Sequence, residues 1–180
     1  MRLRVERERE LYRGRVVRLV ERDFVLPNGR KTTYGIVEHP GAVAIVPVFE
    51  NGDVLLLKQF RPTIDRELYE IPAGTLEPGE SPLATAKREI VEECGYKAKA
   101  WTKISEFYSA PGFCTELLHV FEARDLSPDT AEKDLDEILR PVRLSMKEAI
   151  GLIERRKIRD AKSIAGLLVH EQRRKKQKPR

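Results

Sequence analysis

GTLEPGESPLATAKREIVEECGY, residues 74–96, is the stretch whose reading decides the rest of the chain. Ser81 followed by Pro82 predicts a helix start, a hydroxyl able to cap and then a residue whose missing N–H is not needed in the first turn. Leu83, Ala86, Ile90 and Cys94 recur at helical spacing and predict the face that turns inward. Gly95 predicts the stop. Glu89 and Glu93 lie one turn apart, with Glu92 beside them and away from the apolar stripe. Like charges so placed cost about 0.2–0.5 kcal/mol per pair on an isolated helix. Three carboxylates in one arc therefore predict a positive partner, and an oxygen-only donor set without His or Cys points to a hard cation such as Mg²⁺ or Mn²⁺. The competing reading is a solvated acidic face on which Arg88 pairs with Glu92.

Written as spacing, the stretch is G-x5-E-x7-R-E-U-x-E-E-x-G-U, with U a bulky apolar residue, and only Tyr96 departs from an aliphatic at the last position. This resembles the signature of the Nudix hydrolases, which cleave nucleoside diphosphates linked to another moiety. The resemblance spans about residues 41–168. It implies an α+β fold, an α/β/α sandwich around a mixed sheet, and two to three Mg²⁺ or Mn²⁺ ions. Carried onto this chain, it makes Glu89, Glu92, Glu93 and the carbonyl of Ala73 metal ligands, with Glu92 and Glu93 catalytic. Gly74, Glu80, Arg88 and Gly95 support them, and Arg88 is read as holding a carboxylate in place.

Two further features resemble the ADP-ribose pyrophosphatase branch of that family. Pro111, sixteen residues beyond Gly95, stands in Ser109-Ala110-Pro111-Gly112, although Pro-Gly is also a plain turn dipeptide. The segment Asp134-Leu135-Asp136-Glu137-Ile138 resembles the acidic loop that supplies this branch with a general base and an extra metal ligand. Asp134 aligns as the base and Asp136 as the ligand, each with aspartate where glutamate is usual, while Glu137 and Glu132 compete for the catalytic role. Arg61, Pro111, Gly112 and Glu116 match positions near the substrate, and Phe24 and Tyr12 are aromatic candidates for stacking on a nucleobase. The resemblance implies hydrolysis of ADP-ribose to AMP and ribose 5-phosphate by a homodimer whose N-terminal strands help build the partner's pocket. The alternatives are a broader pyrophosphatase of nucleoside diphosphate sugars or dinucleoside polyphosphates, and a non-catalytic nucleotide-sensing regulator on the same fold.

The remaining sequence fits this frame. A chain of 180 residues supports one domain with a sizeable core and a small appendage. A small antiparallel β unit is expected over residues 1–40, with strand stretches at 15–20 and 23–26, the turn Pro27-Asn28-Gly29 and a returning strand at 31–38, followed by the hydrolase domain over residues 41–180. Residues 42–49 read as a fully buried strand, and Asn51-Gly52 predicts a hairpin into residues 54–60. Strands are expected at 98–108 and 116–123, with another beginning at Ile138. Ser145-Met146-Lys147-Glu148 is a capping box opening a helix to Glu154. Asp160 is expected to cap a last helix whose buried face carries Ile164, Leu167 and Leu168. The charged start MRLRVERERELYRGR does not read as a signal peptide, no apolar run reaches membrane-spanning length, and two cysteines build no disulfide framework, so a cytoplasmic protein is expected. The net charge of +5 gathers in the C-terminal tail, which reads as a solvated helix end, so neither nucleic acid nor membrane is expected as a partner.

Overall fold

The computed structural model describes residues 3–130 and 139–177. By internal contacts the chain divides into two compact units, residues 1–41 with 107–117, and residues 42–106 with 118–180.

The first unit is built on a three-stranded antiparallel sheet ordered β1 (Arg4–Arg13), β2 (Arg18–Val25), β3 (Lys31–Glu38). β3 and its turn stand where the sequence puts them, and Gly29 supplies the positive φ. β2 is one continuous strand. β1 was not foreseen, for a physical reason. Its ten residues are all exposed and mostly charged, so it shows no apolar alternation. Cross-strand ion pairs set its register instead: Arg9 meets Glu21 at 3.0 Å, and Glu8 meets Arg22 at 2.6 Å and Arg18 at 3.0 Å. The segment 107–117 joins this unit through Val37, whose N–H donates to the Phe113 carbonyl at 2.7 Å and whose carbonyl accepts from the Thr115 N–H at 3.0 Å.

The second unit is the α/β/α sandwich. Its mixed sheet runs β7 (Ala73–Thr75), β4 (Ala42–Pro47), β9 (Leu117–Pro128), β8 (Tyr96–Tyr108), with β4 antiparallel to β7 and parallel to β9. Every residue of β4 is buried, as expected of a strand covered on both faces. Its alternation shows which helix covers which face. Val43 and Ile45 pack with Ala86 and Ile90 of α1 (Pro82–Cys94). Val46, from the other set, lies with Ile71 and Val120 against Gly166 of α3 (Ala161–Gln177), where a Cβ would come within 2.8 Å of Ile71. A second, antiparallel sheet runs β10 (Leu139–Ser145), β5 (Asp53–Arg61), β6 (Arg66–Glu70), and α2 (Met146–Glu154) follows β10.

The Asn51-Gly52 turn forms, with Gly52 at φ +85°, but the predicted hairpin does not propagate. After the single bridge Val48–Val54, β4 and β5 part into different sheets. The cause is that β7 and β9 already occupy both edges of β4, so β5 has no free ladder to join and pairs with β6 and β10. The caps follow the sequence: Ser81 accepts from the Ala84 N–H at 3.2 Å, Gly95 closes α1 at φ +71°, the capping box of Ser145 and Glu148 opens α2, and Asp160 accepts from the Ser163 N–H at 3.0 Å. Two buried faces are shifted from expectation. Leu83 and Leu168 are 37% and 46% exposed, while Thr85 and Glu93 on α1 and Ser163 and His170 on α3 are buried.

Candidate active site

The signature loop and α1 bring Ala73, Gly74, Glu80, Arg88, Glu89, Glu92 and Glu93 into one neighbourhood. Glycine at 74 is a steric requirement. A Cβ there would lie 1.8 Å from Oε1 of Glu89, so this carboxylate packs directly on the loop backbone. Glu93 is only 5% exposed and accepts a hydrogen bond from the Ala73 N–H at 2.9 Å. It therefore lies on the inward side of α1, which excludes it from the solvated acidic face of the competing reading. Burial of a carboxylate is costly unless hydrogen bonds or cations compensate, and here the loop amide is one such partner.

Arg88 is the hub of the remaining carboxylates. Its Nε and Nη2 donate to the two oxygens of Glu80 at 3.2 and 3.1 Å, and its Nη1 donates to Glu89 at 2.8 Å and to Glu92 at 2.9 Å. The i,i+4 contact to Glu92 foreseen from spacing is present. The contacts to Glu80 and Glu89 are added by the fold, and the hydrogen bonds that Arg88 donates to Glu80 are the chief cause that raises the guanidinium pKa beyond its ordinary value. Glu80 is tied further by the Thr85 hydroxyl at 2.8 Å, and its carboxyl is held below its usual range by Arg88. Among the described residues no three His, Cys, Asp or Glu side chains already converge as a metal cage.

The donor chemistry nevertheless fits a hard divalent cation. The side chains seated on the Ala73–Gly74 backbone are carboxylates, and Gly74 leaves room for one of them against the chain itself. Asp134, Asp136, Glu137 and Glu132 lie outside the described residues.

Arg61, the last residue of β5, donates through Nε and Nη2 to Glu70 at 2.9 and 2.7 Å. Glu70 is 2% exposed and also receives the ammonium of Lys162. Lys162 in turn meets Asp160 at 3.1 Å. Burial alone would raise the Glu70 pKa, but the hydrogen bond from Arg61 and the charge of Lys162 outweigh it and hold the carboxyl below its ordinary value. The neighbouring Ile71 N–H donates to the Ser163 hydroxyl at 2.8 Å. Sequence reasoning singled out Arg61 and missed Glu70, Lys162 and Ser163. The available signal was a glutamate inside the otherwise apolar run Leu68-Tyr69-Glu70-Ile71, since an acidic residue in a buried strand needs a cation.

In the first unit, Tyr12 is 60% exposed, and Phe24 makes an edge-to-face contact with Tyr34 at 5.9 Å. Pro111 and Gly112 are exposed within a turn closed by the Cys114 N–H on the Ala110 carbonyl at 2.9 Å. Glu116 lies 3.8 Å from Nε2 of His39. A cleft of about 440 Å³ in this unit is lined by Arg13, Arg15, Arg18, Glu38, His39 and Thr115 among others. Its three arginines were not singled out from sequence because arginine is scattered through the whole N-terminal stretch.

An α/β/α sandwich carrying a glutamate-rich helix behind a glycine loop, with oxygen donors gathered on that loop, defines the class as a hydrolase of phosphoric anhydrides. Residues 38–167 match the NUDIX domain family, and the chain belongs to the Nudix hydrolases, in their ADP-ribose pyrophosphatase branch. Dependence on a divalent metal is general in that family. The chain is 44% identical to an ADP-ribose pyrophosphatase of Bacillus subtilis (strain 168), over 86% of this chain and 84% of the relative. It is 37% identical to a methanol dehydrogenase activator of Bacillus methanolicus, over 86% and 85% respectively. A crystal structure of an ADP compounds hydrolase superposes with a TM-score of 0.86 at 24% identity, covering 98% of this chain and 96% of that one, which shows the shared fold.

Proposed function

We propose that this protein hydrolyses the pyrophosphate bond of ADP-ribose, water adding to one phosphorus and the bridging P–O bond breaking to release AMP and ribose 5-phosphate. The observation that carries the reading is the seating of Glu89 on Gly74 and of Glu93 on the Ala73 amide, which gathers oxygen donors where loop and helix meet. Glu89, Glu92, Glu93 and the Ala73 carbonyl would hold two to three Mg²⁺ or Mn²⁺ ions, which supply charge neutralisation at the phosphoryl oxygens and acidify a bound water. Arg88 fixes the orientation of Glu89 and Glu92 and, with Glu80, braces the helix against the loop. Arg61 offers a guanidinium, held by Glu70, suited to a phosphate oxygen or the terminal ribose. Asp134 or Glu137 is proposed as the general base, with Asp136 as the extra ligand.

The first unit is proposed to take the adenosine side of the substrate within a homodimer. Support comes from the cleft lined by Arg13, Arg15 and Arg18, and from the exposed aromatic ring of Tyr12. Pro111, Gly112, Glu116 and Phe24 are proposed as further substrate contacts. No helix of the described residues is long and apolar enough to cross a membrane, and a cytoplasmic site of action is proposed.

The experiment is a panel of ADP-ribose, other nucleoside diphosphate sugars and dinucleoside polyphosphates, with products identified by chromatography. Preferential conversion of ADP-ribose to AMP and ribose 5-phosphate is expected. Faster turnover of another class would transfer the assignment to that class. Asp134→Asn and Asp136→Asn should lower kcat more than they raise KM, as for groups acting mainly in the transition state. Unchanged kcat in both would leave the catalytic role to the glutamates of α1 or to Glu137, with Glu132 as the other competitor.

A further inference from the structure

Glu70 is buried to 2% exposure, yet it is shared by two cations from distant parts of the chain, Arg61 on β5 and Lys162 on α3. Such a cluster is a poor choice for stability alone, because apolar residues of similar volume often hold a core as well or better than buried ions. Its geometry has a direction instead. Asp160 is fixed by its own capping hydrogen bond to the Ser163 N–H, and it holds Lys162 at 3.1 Å. Lys162 sits on Oε2 of Glu70, and the same oxygen accepts from Nη2 of Arg61 while Oε1 accepts from Nε. The chain of contacts thus runs from the start of a helix to the plane of one guanidinium. Ser163 adds a second tie one residue further along, through the Ile71 N–H.

We propose that Lys162 is a positioning residue for substrate binding, fixing Glu70 so that Arg61 is presented in one orientation. Lys162 is itself balanced by Asp160, so its part in the cluster is to hold the Glu70 carboxylate in place. Without Lys162, the carboxylate loses one of the two cations that hold it. The proposal rests on the reading that Arg61 meets the substrate, and the test separates the two.

The test is a double-mutant cycle on the full chain, Arg61→Met, Lys162→Met and both together. Binding of ADP-ribose is measured by calorimetry in EDTA, KM and kcat are measured with Mg²⁺, and thermal melts confirm folding. Lys162→Met should raise Kd and KM about tenfold, leave kcat within about twofold, and have less than a twofold effect in the Arg61→Met background, since coupled residues depart from additivity. Should Lys162→Met not fold, Lys162→Gln carries the same cycle, because its amide can still donate to Glu70 without a charge. Additive effects, or wild-type binding by Lys162→Met alongside weak binding by Arg61→Met, overturn the proposal and leave the role of Arg61 standing. Wild-type binding by Arg61→Met removes the reading of Arg61 and the proposal with it.

Discussion

At Gly74 the space a side chain would fill belongs to the carboxylate of Glu89, and this contact ties the loop of the signature to its helix. The clash that a Cβ would cause is with the mobile end of a side chain and not with backbone, so Gly74→Ala should fold. Overpacking of this kind costs about 1–3 kcal/mol, and displacing a group that orients a metal ligand about 10–100-fold in activity. The expected outcome is a melting temperature lowered by a few degrees and hydrolysis reduced at least tenfold, and a variant of full activity would detach Glu89 from the chemistry. Most of this neighbourhood was legible from spacing, because Glu89, Glu92 and Arg88 interact within one helix. The burial of Glu93 is not legible, since spacing cannot reveal that the Ala73 amide draws it inward. Lys162 is not legible for a related reason: its contact with Glu70 spans 92 residues and leaves no local pattern.

At the scale of elements, β9 and α3 are joined by a polar contact inside the core. His170 is 1% exposed, and its Nδ1 lies 2.6 Å from Oε2 of Glu122. A carboxylate only accepts, so Nδ1 carries the proton. This hydrogen bond, with Arg124 assisting against the opposing effect of burial, lowers the Glu122 pKa from 4.5 to about 2. A depressed carboxyl stabilises the fold above its unfolded pKa and ceases to do so as pH falls through its folded value. Stability should therefore decline between about pH 4.5 and pH 2, by about 2 kcal/mol from this group after allowance for solvent screening. Denaturant titrations across that range should show Glu122→Gln with a flatter slope than the wild type, and identical slopes would refute the coupling. The elements themselves were legible where periodicity or caps mark them, as in α1, α2, β3 and β4. They were not where charge replaces pattern, as in β1, or where competition for strand edges decides the partner, as between β4 and β5.

For the whole molecule, the first unit poses the question of what it is for. β1 is an edge strand that leaves Val5, Leu11 and Tyr12 exposed at 48%, 46% and 60%, beside a dense set of ion pairs. The unpaired backbone N–H and C=O groups of an edge strand are a template for pairing with another chain, which accords with the proposed homodimer, the commonest closed assembly. Deleting residues 1–40 should then abolish dimerisation and weaken ADP-ribose binding together, as read by sedimentation velocity and calorimetry. A wild-type monomer that hydrolyses ADP-ribose at full rate would contradict this.

The claim on which everything else depends is that the glutamates of α1 carry out pyrophosphate hydrolysis. Glu93→Gln tests it most directly, because the amide oxygen can still accept from the Ala73 N–H and keep the fold, yet a neutral ligand binds a hard cation poorly. ADP-ribose is incubated with each protein at limiting Mg²⁺, and the products are resolved by chromatography. The wild type should yield AMP and ribose 5-phosphate in equal amounts, and a folded Glu93→Gln should lose activity by about 100-fold or more. Near-normal turnover by the variant, or no cleavage of the pyrophosphate by the wild type, would contradict the account.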